Sequence, residues 1–294
     1  MPARLSSPGP ADGPLRDHVV VIRRRGKNLG VRDPWTAPEA SRRLERDGCA
    51  VLRDVLTTLE VAELVDEIDS AFDRFGPERG RPDRAELRYE MLNRSGACQR
   101  AVGHPAILEA IEPLLGEDCH VIANTAWRNP PDFGGGPWHC DAGPHVPRPE
   151  GVEWDDRIPY PVFAVGAHVH LRDCTPADGP TAVVPASHRS GRLPPRESVD
   201  DPELTYDGRP PVTLTAGAGD VALFVSDCWH RGTPAGPGGG GRDFLQVHYG
   251  RRDIAQRIRT TADAHQLSAD AVARAGSPRQ RTVVGLHDAY FYDG

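Results

Sequence analysis

The sequence predicts a mainly β protein with flanking helices, built around a jelly-roll core, the double-stranded β-helix. Three observations carry that prediction. Between Cys119 and Gly250 the apolar period falls towards two, in six short runs bounded by Gly, Pro or Asp. Helical periodicity is confined to the region before this stretch and to a short piece after it. The chain also holds 31 glycines and 29 prolines in 294 residues, which suits many turns between short strands.

In chain order, residues 1–17 are rich in Pro, Gly and Ser and read as a disordered tail. HVVVIRR follows as a short strand. A helical part spans about 36–118. In it PEASRRLERDG ends on a glycine stop, CAVLRDVL is a strand, and TTLEVAELVDEIDSAFDRFG is a helix behind a threonine cap. GPERGRPDRAELRYEMLN is charged and turn-rich and reads as a surface segment or flap. HPAILEAIEPLLGED gives an amphipathic helix closed by Gly116.

The jelly-roll core spans about 119–250, with strands HVIANTAWRN, PVFAVGAHVHL, PTAVVPAS, PVTLTA, GDVALFVSDCWH and RDFLQVHYG. An extension over about 251–294 carries a helix-like SADAVARAG and a strand-like RTVVGLH. Residues 18–294 are thus read as one domain.

Composition excludes several classes. Thirty-five basic against 42 acidic residues leave a formal net charge of −7, and no basic stripe matches a nucleic-acid backbone. No apolar run is long enough to span a bilayer, and the first residues lack the apolar core of a secretion signal, so a cytoplasmic protein is expected. The six cysteines are scattered without a C-x-x-C pair and read as reduced structural thiols. Oligomeric state is not legible.

The chemistry gathers at PWHCDA. In an extended segment His139 and Asp141 share a face about 7 Å apart, with Cys140 turned to the other side. A second imidazole would complete the two-histidine, one-carboxylate set that binds non-haem Fe(II) and leaves positions open for other ligands. His230, at the end of GDVALFVSDCWH, is the candidate. Arg242 opens the next strand after a Gly-rich loop read as a flexible hairpin tip, and its guanidinium suits a carboxylate through a paired, charge-assisted contact.

These blocks resemble the phytanoyl-CoA dioxygenase family of Fe(II)- and 2-oxoglutarate-dependent oxygenases. PWHCDA, LRDCTPADGPTAVVPASHRSG, AGAGDVALFVSDCWHRGTP and Arg242 match in order, and DGCAVLRDVLTTLEVAELVDEIDSAF resembles the family's N-terminal region, so about 45–250 is covered. The resemblance implies His139, Asp141 and His230 as iron ligands and Arg242 as the anchor of the distal 2-oxoglutarate carboxylate. It further implies O2 as oxidant and a small-molecule substrate whose C–H bond is hydroxylated or otherwise oxidised.

Relatives that halogenate carry a small residue where this chain has Asp141, which favours oxygenation. Many relatives place a serine two residues after the distal histidine. This chain has Gly232 and then Thr233, so Thr233 is a candidate substitute. Asn124 and Trp127, and Trp154 or Tyr160, are candidates to line the co-substrate pocket. The high Gly, Pro, Arg and Ala content suggests a GC-rich bacterial source, where relatives often serve secondary metabolism.

Two other readings compete. His168 and His170 share a strand face as in a cupin metal site, though no suitably spaced glutamate follows, which favours a core or pocket-lining role. A catalytically silent binding barrel is the second, against which the complete ligand set argues. His188 reads as structural, His248 as facing either the pocket or the outside, and Cys228 as lacking the partners of a nucleophile.

Overall fold

The computed structural model describes residues 20–24, 27–32, 38–76, 85–141, 143–155, 158–256 and 267–286. The tail over 1–17 lies outside them. Strands β1 (Val20–Arg24) and β2 (Lys27–Arg32) form a hairpin. Helix α1 (Glu39–Asp47) is followed by β3 (Cys49–Leu52), α2 (Thr58–Arg74), β4 (Glu86–Arg88), α3 (Met91–Arg94), α4 (Gly96–Val102) and α5 (Pro105–Leu115). The barrel strands are β5 (His120–Asn129), β6 (Ala164–His170), β7 (Thr181–Val183), β8 (Val212–Leu214), β9 (Val221–Val225), β10 (His230–Gly232) and β11 (Arg242–Gly250). Two short helices, α6 (Ala269–Arg274) and α7 (Pro278–Val283), follow.

Local chemistry fixes the helix ends. The threonine cap that the sequence predicts for α2 is Thr57, which forms a reciprocal capping box with Glu60. Gly48 closes α1 at φ 81°, and a Cβ there would meet the Cys228 sulfur at 2.1 Å, so both its backbone and its packing need glycine.

Two antiparallel sheets face each other. The larger runs in the order β3-β9-β6-β11-β5-β4 and the smaller β10-β7-β8. The alternation of β6 divides its residues between two surfaces. Val165, Ala167 and Val169 join the core that also holds Leu44, Leu64, Ile68, Ile107 and Ile111 of the helices. His168 and His170 take the other face, towards the smaller sheet. The jelly roll is therefore a large sheet backed by helices, with its inner surface turned to a short second sheet. No helix among the described residues is long and apolar enough to cross a membrane.

Four expectations need correction. RTVVGLH is not a strand, because Ser277 caps α7 in a box with Gln280 and Pro278 opens the helix, which outweighs the β-branched pair. The charged stretch 76–93 is not all surface: Glu86–Arg88 pairs with β5, and Leu87, Met91 and Leu92 are buried. Arg88 is buried too, stacked on Phe72 and donating to the carbonyls of Leu87 and Phe72. The loop before Arg242 is not a hairpin tip, since β10 pairs with β7 in the small sheet while β11 pairs with β5 and β6 in the large one. That crossing loop is also held: Arg172 donates to the Gly240 and Gly241 carbonyls and Asp178 accepts from the Gly240 amide.

Candidate metal centre

The segment carrying His139 and Asp141 is extended but makes only one bridge, His139 to His230, rather than a ladder. Three glycines at 134–136 and the prolines at 137 and 144 limit its pairing. The predicted alternation holds. Cys140 turns away and its thiol donates to the Asp227 carbonyl, while His139 and Asp141 turn to His230.

His230 opens β10, after the turn 226–229 has carried the chain from the large sheet to the small one. It therefore begins a strand where the sequence placed it at the end of one. The result is a candidate ligand supplied from the second sheet, facing the loop that carries the other two candidates.

Ligand atoms of His139, Asp141 and His230 lie within 4.8 Å of one another, the only such group of His, Cys, Asp and Glu among the described residues. Asp141 Oδ1 lies 3.9 Å from His139 Nε2 and 3.3 Å from His230 Nε2. Each imidazole points its Nδ1 at a main-chain carbonyl, Pro137 for His139 and Cys228 for His230, both at 2.9 Å. A carbonyl only accepts, so each ring carries its proton on Nδ1 and leaves the Nε2 lone pair facing Asp141.

The electrostatics differ from one ligand to the next. Burial drives His139 below its ordinary pKa, and neighbouring His230 adds to the shift. Burial also opposes ionisation of Asp141, yet the His230 and His248 imidazoles outweigh it and hold the carboxyl well below its ordinary range. Burial would lower His230, but Asp141 outweighs it and the net shift is upward. A divalent cation bound by the two Nε2 atoms and the carboxylate would exclude any proton from between them.

Beside these residues lies a cavity of about 420 Å³, bordered on the large sheet by Trp127, Phe244, Gln246 and His248 and on the small sheet by Thr181 and His230. Arg242 lies at this cavity, 4% exposed, with its guanidinium over the Phe244 ring. It donates to Thr181 Oγ1 at 2.6 Å, its Nε has no partner, and no carboxylate pairs with it among the described residues. Burial lowers its pKa to about 10, so it stays a cation at neutral pH.

Thr181 links Arg242 to His168, whose Nδ1 lies 3.2 Å from the same hydroxyl. Arginine only donates, so the Thr181 oxygen accepts from it, and the hydroxyl hydrogen, with no other acceptor among the described residues, points to His168 Nδ1. The imidazole proton then sits on Nε2, which is buried and unpartnered. Burial, and then the Arg242 charge, keep His168 neutral.

The remaining sequence candidates divide. Asn124 and Trp127 border the cavity. The Asn124 amide donates to the Gln246 carbonyl and its Oδ1 is unpartnered, while Trp127 donates to Gln246 Oε1. Thr233 lies outside the cavity lining, with its hydroxyl on the Pro180 carbonyl, so the hydroxyl beside the arginine comes from Thr181 instead. Gly232 has a reason of its own: a Cβ there would lie 3.0 Å from both Arg242 and the Phe133 ring.

Trp154 is also displaced from the lining, packed edge-on against Tyr160 in the loop that follows the ligands. Tyr160 is buried and donates to Asp227, which also accepts from His145 and so ties that loop to the turn before His230. His170 does not border the cavity, and His168 and His170 form no metal group among the described residues. His188 is structural, bonded to the Glu45 carbonyl. Burial holds Cys228 well above the usual thiol range, as befits packing, and all six cysteines are free. Thr181 and Gln246 were not singled out by the sequence. The only signal for Gln246 was its parity with Arg242 on β11, and Thr181, on the three-residue β7, carried none.

A sequence model of the family described as phytanoyl-CoA dioxygenase matches residues 44–237. Among solved structures, the chain is similar to SnoN, a non-heme alpha ketoglutarate dependent epimerase from nogalamycin biosynthesis. The identity is 22%, covering 81% of this chain and 95% of that one, with a TM-score of 0.59. The carbocyclase SnoK from the same biosynthesis aligns at 18% identity, 79% and 94% coverage and a TM-score of 0.59. HygX from Streptomyces hygroscopicus, solved with nickel, 2-oxoglutarate and hygromycin B, aligns at 17%, 76% and 92% coverage, with a TM-score of 0.56. These likenesses are ones of fold.

Proposed function

The chain belongs to the phytanoyl-CoA dioxygenase family, and we propose that it is an Fe(II)- and 2-oxoglutarate-dependent dioxygenase that oxidises a C–H bond of a small molecule. The observation that carries this reading is the convergence of His139 Nε2, His230 Nε2 and Asp141 Oδ1, with a buried, carboxylate-free Arg242 on the same cavity. Two neutral imidazoles and one carboxylate, held by backbone carbonyls behind the rings, fit Fe(II). Bound iron, with 2-oxoglutarate and O2, supplies the oxidation: one oxygen atom goes to the substrate and the other to the succinate formed as carbon dioxide leaves.

The chain's own groups then have distinct tasks. Arg242 supplies two charge-assisted donors to the distal carboxylate of 2-oxoglutarate, and Thr181 fixes the plane of its guanidinium. His168 Nε2–H adds a neutral donor beside them. Asn124 and Trp127 border the same space. Asp141 being a carboxylate, the third protein ligand is filled, which favours oxygen transfer and leaves no protein position open for halide.

Apart from Asp141 no acidic side chain borders the cavity among the described residues. A neutral or anionic substrate suits it, and a cationic one does not. SnoN and SnoK come from the biosynthesis of nogalamycin and HygX binds hygromycin B, so bacterial secondary metabolism is the setting we favour.

The test is succinate formation from 2-oxoglutarate by the Fe(II)-supplied protein in air. It should be slow alone, accelerate with a fitting small molecule, vanish in His139→Ala, and need far more 2-oxoglutarate in Arg242→Ala. Undiminished turnover in His139→Ala, or an unchanged 2-oxoglutarate requirement in Arg242→Ala, would overturn the reading.

A further inference from the structure

The two oxygens of Asp141 are not equivalent. Oδ1 faces the Nε2 atoms of His230 and His139, at 3.3 and 3.9 Å, while Oδ2 lies 3.2 Å from Nε2 of His248. His248 stands on β11 with Ala123 and Gly166 as its cross-strand partners.

The same nitrogen has a second neighbour. Trp127 Nε1 can only donate and lies 2.8 Å from Gln246 Oε1, which orients the Gln246 amide and turns its Nε2 towards His248 Nε2 at 3.2 Å. His248 Nε2 either accepts from that amide or donates to Asp141, and cannot do both. The carboxylate is the stronger partner, because the bond to it is charge-assisted.

We propose that His248 is a positioning residue of the metal centre, holding Oδ2 of Asp141 through Nε2–H so that Oδ1 alone is presented to the metal. The inference rests on the metal-site reading above. A carboxylate free to swing can offer both oxygens and occupy a coordination position that the co-substrate needs. One held by its far oxygen offers a single ligand atom, as second-layer partners of metal ligands do elsewhere.

The experiment is a Co(II) titration of the full chain, stripped with a chelator, followed by the visible ligand-field spectrum, which reads affinity and coordination number together. His248→Met removes the donor at similar size, His248→Asn shortens the reach, and His248→Gln places an amide N–H near the position of Nε2. His248→Met and His248→Asn should weaken Co(II) by about 10- to 100-fold and alter the spectrum, with His248→Gln recovering most of the affinity. Thermal midpoints of the metal-free proteins should stay close to wild type, since a merely structural role would lower them without rescue by Gln. Wild-type affinity in both donor-deprived variants, or no recovery in His248→Gln, overturns the proposal. If wild type binds Co(II) no better than His139→Ala, the metal reading has failed as well, a result distinct from failure at His248 alone.

Discussion

Arg242 on the large sheet donates to the Thr181 hydroxyl on the small sheet at 2.6 Å, so the cationic end of the cavity is built by both halves of the jelly roll. Thr181→Val keeps the volume and removes the acceptor. It should weaken 2-oxoglutarate binding roughly tenfold, the size of one net hydrogen bond, while Co(II) affinity is unchanged. Arg242→Ala should weaken it by about 100-fold or more, as loss of a buried charge-assisted pair would. Calorimetric titration of the metal-loaded proteins measures both.

Gly232 sits where many relatives carry serine, and a Cβ there would press on Arg242 and the Phe133 ring at 3.0 Å. Gly232→Ser should therefore weaken 2-oxoglutarate binding rather than improve it. Thr233→Ala should leave that binding unchanged, because its hydroxyl serves the Pro180 carbonyl. The same titration separates the two.

Gly166 underlies Phe224, whose ring would lie 2.7 Å from an added Cβ and packs against His230 at 4.6 Å between ring centroids. Gly166→Ala should cost about 1–3 kcal/mol of stability, the usual range for overpacking a core, and loosen the metal through His230. Denaturant unfolding and Co(II) titration report the two effects.

Asp220 accepts from the backbone amides of Asp54 and Gly217 and from Arg53, and is nearly buried. Burial raises its pKa, but these donors outweigh burial and the net shift is downward. A depressed folded-state pKa means the stabilisation is complete above the ordinary carboxylate range, near pH 4, and is lost as pH falls through the folded value. Asp220→Ala should cost about 1–3 kcal/mol near pH 7, mostly from the two amides left unpaired. Arg53 is too exposed to add much. The difference from wild type should shrink in acid, as unfolding curves across pH would show.

The sequence made the barrel and its candidate metal ligands legible because both depend on local pattern. Alternation put His139 and Asp141 on one side and Cys140 on the other, and the apolar run ending at Val225 marked the buried strand before His230. What it did not reveal depends on which strand lies opposite. Thr181 and Arg242 are neighbours only because the loop over 233–241 crosses between sheets, and a hairpin reading of that loop hides the contact. Thr233 was favoured by proximity in sequence to His230, whereas the hydroxyl that reaches Arg242 comes from 61 residues earlier in the chain. His248 could face either way on parity alone. Its approach to Asp141 depends on where the segment carrying that carboxylate crosses β11, a fact of the tertiary fold.

The most direct test of the central claim is anaerobic addition of Fe(II) and then 2-oxoglutarate to the purified chain, followed by visible absorption. Chelation of the 2-oxo acid by iron held at His139, Asp141 and His230 should give a weak charge-transfer band in wild type that is absent from His139→Ala and His230→Ala. In Arg242→Ala it should form only at much higher 2-oxoglutarate. No band in wild type, or an undiminished one in the two histidine variants, would contradict the account.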